Sequence, residues 1–164
     1  MLSEFISVNR EEIIRRCRAK VATPSDPPPS AAHLDRPHDL TAARRFVMAQ
    51  ARAMGISEGR AGDLCIASNE ILANALTHGD GAVRLSVWAE GGRLICRIVD
   101  DGDGIVDPLA GYRPPGAATE TGRGLWLARQ LVDLLQVVPS PKGTTVTMHV
   151  WAKAYDGAGD VRPS

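Results

Sequence analysis

The stretch "SNEILANALTHG", residues 68–79, decides how the chain is read. Most of it is explained by an amphipathic helix. At about 100° per residue, Leu64, Cys65, Ile71, Leu72, Ala75 and Leu76 fall in one arc, which predicts a face turned to the core. Asp63, Glu70, Asn74, Thr77 and His78 fall in another, with Glu70, Asn74 and His78 at intervals of four. A solvated helix face is the plain reading of such a stripe. Two details speak for more. The stripe holds no Lys, and Asn is a poor helix former that needs a reason to sit in mid-helix.

The pattern around this stretch predicts a helix over about 58–78, ending at "HGDG". Upstream, "DRPHDLTAARRFVMAQARAMG" predicts a helix over about 39–54, with Asp39 as cap and Gly55 as stop. Before it, the prolines of "TPSDPPPS" cannot continue a helix and mark a linker. Residues 1–22 read as a separate amphipathic helix, with Phe5, Ile6, Ile13, Ile14 and Cys17 recurring at roughly helical spacing. The expected organisation is a helix at 1–22, a Pro-rich linker at 23–35, one domain at 36–152 and a flexible tail at 153–164.

Downstream, three stretches alternate. "AVRLSVWAE" places Val83, Leu85 and Val87 on one face. "RLICRIVD" does the same with Leu94, Cys96 and Ile98, and "TTVTMHV" with Val146, Met148 and Val150. These predict antiparallel strands with one buried face, the first two joined by a tight hairpin at "EGG". "LLQVVPS" is a candidate fourth strand. A Gly/Pro-rich loop at about 102–121 and a helix in "GLWLARQLVDLL" lie between the second and third of the alternating stretches. The expected fold is α+β: a two-layer sandwich with a mixed, mostly antiparallel sheet and helices on one face. Loops of that length in small domains are usually functional or disordered.

Composition removes several classes. The chain has 164 residues, 44% of them hydrophobic, which suits one domain with a core. Nineteen Lys+Arg balance 19 Asp+Glu, and that balance argues against a general nucleic-acid binder. No apolar run is long enough to cross a membrane, and "MLSEFISVNREE" lacks the pattern of a secretory signal. Cys17, Cys65 and Cys96 form neither a metal-ligand pair nor a disulfide framework, which fits a reduced, cytoplasmic protein. His33, His38 and His149 are isolated and read as surface or structural residues. HExxH, CxxC and GxSxG are absent. "PKGTT" has its Lys before the glycine, so there is no Walker A loop.

The loop and its borders carry the remaining chemistry. "VDDGDGI" holds Asp100, Gly102 and Gly104 at a strand end, an acceptor-only carboxylate followed by backbone that can approach a ligand closely. A plain turn is the alternative, and the spacing of an EF-hand is not met. "TGRGLWLARQLVD" opens a helix with Gly122 and Gly124, so its first N–H groups and dipole could face an anion, with Arg123 adding charge. "KGTTV" places Gly143 and Thr144 at the start of the last strand.

Four segments in this order resemble the boxes of the ATP-binding fold shared by gyrase, Hsp90, histidine kinases and MutL, the GHKL or Bergerat fold. They are Glu70 and Asn74 in "NEILANALTHG"; Asp100, Gly102 and Gly104; Gly122 and Gly124; and Gly143 with Thr144. The resemblance covers about residues 36–151. Within that superfamily the chain is most similar to the anti-sigma-factor serine kinases of bacterial partner-switching systems, through "RPHDLTAARRFV", the compact loop and the ending soon after Gly-Thr. The histidine-bearing hairpin of a complete histidine kinase does not precede the domain. Residues 1–29 resemble the opening helix of a helical stress-sensor domain.

The resemblance implies a protein serine/threonine kinase using ATP and Mg²⁺. Asp100 would select adenine, with Thr144 in support. Asn74 would bind Mg²⁺. Glu70 would be the general base. Gly102, Gly104, Gly122, Arg123, Gly124 and Leu125 would line the nucleotide site, and residues 105–121 would form a lid. His78 matches a common family position without an assigned role. The implied partners are a sigma factor and a STAS-type anti-sigma-factor antagonist, with no nucleic acid or membrane bound directly, and the family admits a homodimer. The alternatives are an ATP-binding or hydrolysing module of a histidine-kinase-like assembly, and a non-catalytic interaction domain.

Overall fold

The computed structural model describes residues 26–35, 40–78, 82–102, 111–112 and 123–152. The expected helix at 1–22, the tail at 153–164, the Asp39 cap, most of the lid, Gly104 and Gly122 lie outside the described residues. The element order is β1 (Ala32–Asp35), α1 (Leu40–Ala53), α2 (Glu58–His78), β2 (Val83–Glu90), β3 (Arg93–Asp100), α3 (Arg123–Leu131), β4 (Leu134–Ser140) and β5 (Gly143–Trp151).

The turn between α1 and α2 explains why two helices form here rather than one. Ile56 N–H donates to the Ala51 carbonyl at 3.0 Å and Gly55 N–H to Arg52 at 3.0 Å. Gly55 has φ +72°, so the bonds form a Schellman cap that satisfies the last carbonyls of α1. Helix α2 restarts at once, with Ala61 N–H on the Ser57 carbonyl at 2.8 Å. Arg52 Nε and Nη2 donate to both carboxylate oxygens of Glu58 across the turn.

The sheet has the order β1-β2-β3-β5-β4, and every pairing is antiparallel. Three of its strands and the candidate fourth were legible as alternating stretches. β1 was not: residues 32–35 fall in the expected linker, yet they pair with β2 from Ala32↔Val87 to Asp35↔Arg84. Four residues are too few for a periodicity signal, and the partner supplies the bonds that make them a strand. α3 stops at Leu131 rather than running on through "VDLL", because Asp133 N–H donates to the His149 carbonyl at 3.1 Å and β4 begins. Pro139 sits in β4, an edge strand, where a missing N–H is tolerated.

One face of the sheet carries Val83, Leu85, Val87, Leu94, Cys96, Ile98, Val146, Met148 and Val150, all buried. The helices cover it with Ala43, Val47, Ala51, Leu64, Ile71, Leu72, Leu125 and Ala128. Removing one fully buried Leu from such a core typically costs about 2–5 kcal/mol. Leu76 corrects the expected core face: it is 41% exposed, because it sits at the rim of the arc in the last turns of α2. β3 and β5 are neighbours, whereas the chain between them makes α3 and then β4 on the outer side. Asp100 and Thr144 therefore meet in register where the long loop departs.

Candidate functional site

Helix α2 divides its surface three ways. Leu64, Ile71 and Leu72 face the core, Ile66 at 50% exposure faces solvent, and the stripe of Glu70 and Asn74 faces α3. Gly124, the second residue of α3, is what permits that last contact. A Cβ built there would lie 3.1 Å from Asn74 Nδ2, 3.1 Å from Glu70 Oε2 and 3.3 Å from Glu70 Cβ. The first turn of α3 thus rests against the polar stripe. Its N–H groups have no intrahelical acceptors, and the helix dipole favours negative charge beside them. Arg123 is exposed at the start of the helix, while Leu125 is buried and anchors the turn to the core. Glu70 is half-buried and Asn74 exposed. Neither side chain has a hydrogen-bond partner among the described residues.

The second part of the site is built on the sheet. Asp100 ends β3 and shares the helix-covered side of the sheet with Cys96, Ile98 and Thr144. Its Oδ1 accepts from Gly102 N–H at 3.1 Å and from Thr144 N–H at 3.3 Å. Gly143 makes this possible. It has φ +122°, and a Cβ there would fall 1.9 Å from the Asp100 carbonyl oxygen. The start of β5 can cross over Asp100 only with hydrogen at that position. Asp100 Oδ2 has no partner among the described residues, so one oxygen is held by backbone and the other is available. Thr144 is 4% exposed and Gly102 is buried beside it.

The structure therefore places Glu70, Asn74, Arg123, Gly124 and Leu125 in one group and Asp100, Gly102 and Thr144 in another. Two further features had no signal in the sequence. Gly111 packs so closely on Leu125 that a Cβ would lie 2.7 Å from its Cβ, and the Tyr112 ring stacks with Arg129, whose Cζ is 3.8 Å from the ring centre. These contacts pin the middle of the long loop to α3. They join residues distant in sequence and follow no spacing. Likewise, Arg60 pairs with Asp133, whose Oδ2 also accepts Trp151 N–H at 2.9 Å, tying α2 to the end of α3.

No group of three or more His, Cys, Asp or Glu side chains among the described residues could hold a metal. A metal at Asn74 would need oxygens from a ligand. The two described thiols are held protonated: burial raises the pKa of Cys65 and pushes Cys96 up to about 12. His149 is structural, fully buried, with Nε2 3.1 Å from Gln136 Oε1.

Residues 34–150 match the family described as histidine kinase-like ATPase domain. No curated protein matches the chain. Among solved structures, the RsbU and RsbW domains of a Mycobacterium tuberculosis protein are similar at 19% identity and a TM-score of 0.57, covering 76% of this chain and 33% of that one. A blue-light activated histidine kinase from Erythrobacter litoralis is similar at 24% identity and a TM-score of 0.51, covering 68% of this chain and 41% of that one. The Acinetobacter baumannii histidine kinase AdeS is similar at 10% identity and a TM-score of 0.51, covering 93% and 81%. At these identities the likeness is one of fold, and the chain spans well under half the length of the first two.

Proposed function

The chain belongs to the histidine kinase-like ATPase domain family, and from that premise we propose that it binds Mg-ATP and transfers the terminal phosphoryl group to a serine of a partner protein. The observation that carries this reading is the contact of Glu70 and Asn74 with Gly124. Two polar side chains, without hydrogen-bond partners among the described residues, lie against the first turn of a helix.

The residues fit a purine nucleotide triphosphate. Asp100 Oδ2 is free to accept from an adenine amino group, and it would repel the carbonyl that guanine carries there. Thr144 supports the same end. The backbone N–H groups at Arg123, Gly124 and Leu125 suit phosphate oxygens, and Gly102, Gly104 and Gly122 complete the proposed cradle. Asn74 would hold Mg²⁺ through its side-chain oxygen, with phosphates and water as the other ligands. The ion supplies neutralisation of charge on the phosphates. Glu70 would accept the proton of the incoming serine hydroxyl, and the lack of a competing donor among the described residues leaves both oxygens able to do so. The proposed partners are a STAS-type antagonist as phosphoacceptor and a sigma factor as the protein held in the other state. Such a pair belongs in the cytoplasm.

Calorimetric titration with ATP, with and without Mg²⁺, followed by transfer from γ-labelled ATP to antagonist proteins of the same source, tests the proposal. Saturable Mg²⁺-dependent binding with label on serine supports it. Binding with no transfer to any antagonist replaces it with an ATP module of a histidine-kinase-like assembly. No binding overturns both.

A further inference from the structure

The side of the sheet turned away from the helices carries a second buried patch. The register sets a row Trp88, Ile95, His149 and Leu134 across four strands. Trp88 is 2% exposed, and Ile95 and His149 are 0% exposed. Ser86 and Thr147 in the adjoining row are buried too. One row nearer Asp100 the surface opens, with Val99 at 37% and Val138 at 57%. All the described helices pack on the opposite face.

Among the described residues, the sheet's own Arg97 lies 5.2 Å over the Trp88 ring and Trp151 stands 6.3 Å from the His149 ring, and the segment before β1 reaches this side at Asp26 and Ala31. Asp26 Oδ1 accepts from Arg97 Nη1 at 3.4 Å, and Ala31 packs with Trp88 and Ile95. The segment at 26–31 cannot shield His149, which lies three strands from the β1 edge, about 14 Å away, and single side chains such as Arg97 and Trp151 leave room for a further element over the row. Trp88 Nε1 and His149 Nδ1 are buried there without hydrogen-bond partners.

We propose that residues 1–22 dock on this patch as an amphipathic helix, through Phe5, Ile6, Ile13, Ile14 and Cys17. The chain reaches the patch at Asp26, and 25 residues precede that point. Residues 23–25 span at most about 10 Å, so the segment is tethered beside Arg97. A helix of that length is about 33 Å long, against about 26 Å for an eight-residue strand, enough to cross the patch. A lone helix of this size is marginal in water and gains most from an apolar surface to pack on. The other terminal segment, residues 153–164, follows Ala152, whose N–H donates to the Gly92 carbonyl at 3.2 Å, and has only Tyr155 and Val161 as large apolar side chains.

The chain has three tryptophans, so Trp126→Phe with Trp151→Phe leaves Trp88 as the reporter in the full-length protein. Acrylamide should quench Trp88 poorly at every protein concentration, and Ile13→Asp with Ile14→Asp should raise quenching severalfold. Unchanged quenching in that variant overturns the proposal in favour of the C-terminal tail. Quenching that rises on dilution overturns it in favour of a second copy. A measurement on the unaltered chain stands apart from any folding defect in the variants. Amide exchange at residues 5–18 should be about tenfold or more slower than in a peptide of residues 1–22, and equal rates would overturn the docking.

Discussion

Asp100 and Glu70 are the two carboxylates of the candidate site, and they are held in opposite ways. Asp100 is fixed by main chain: Oδ1 takes two backbone N–H groups, and the strand crossing over it depends on Gly143. Glu70 has no hydrogen-bond partner among the described residues and is confined by packing against Gly124. A recognition group profits from being pre-oriented, because no reorganisation is needed on binding. A group that must take up a proton profits from having no donor competing for its oxygens. The difference teaches that one carboxylate is pre-oriented by main chain and the other left without a donor among the described residues, which suits selection at one end and proton uptake at the other under the proposed function.

Gly143→Ala is the severest way to break this contrast. The new Cβ would collide with the Asp100 carbonyl in a backbone conformation that alanine rarely adopts, so about 3 kcal/mol or more of stability should be lost. Urea unfolding would measure it, and a near-wild-type midpoint would mean the strand crossing is looser than described. Glu70→Gln should act on chemistry alone. We expect phosphoryl transfer to fall about 10²-fold, near 2.7 kcal/mol, with ATP affinity changed less than about threefold. An equal loss in affinity would make Glu70 a binding group like Asp100.

Acid should destabilise the fold without touching that contrast. Burial, then the nearby Arg93 and Arg97, lower the His149 pKa to about 4, opposed only weakly by Glu90. The folded state therefore resists protonation at pH values where the unfolded chain, with a pKa near 6.5, accepts it. The stabilisation is complete above about pH 6.5 and is lost as pH falls toward 4, on the order of 2 kcal/mol after allowing for partial screening by water. Melting curves across that window should show the slope in the parent and flatten it in His149→Gln.

Asp100→Asn should keep an oxygen for the Gly102 and Thr144 N–H groups while turning an amide donor toward the adenine amino group. ATP affinity should weaken about tenfold, near 1.4 kcal/mol, with stability little changed. Normal affinity would remove the adenine assignment. Gly124→Ala should have the smallest effect. Its contacts at 3.1 Å are side-chain ends that can yield, so a stability loss of about 1 kcal/mol is expected, with weaker ATP binding as α3 moves off the stripe.

Much of this was legible in residue order. Local periodicity placed α1, α2, β2, β3 and β5, since the alternation of apolar residues is itself the burial pattern. The polar stripe of α2 was visible for the same reason, and Asp100, Gly124 and Thr144 could be named from the residues around them. What the chain order did not carry were contacts made by proximity alone. β1 exists because β2 offers it bonds. Leu76 is 41% exposed although it belongs to the apolar arc, because it sits at that arc's rim near the end of α2. Tyr112 meets Arg129, and Trp88 is buried on a face that alternation alone would leave to solvent. The residue pattern determined which groups could form a site, because helical and strand repeats are local. Tertiary structure alone decided that Glu70 and Asn74 face the start of α3, that Asp100 lies under Gly143, and which oxygens are left free, because those depend on how distant segments pack.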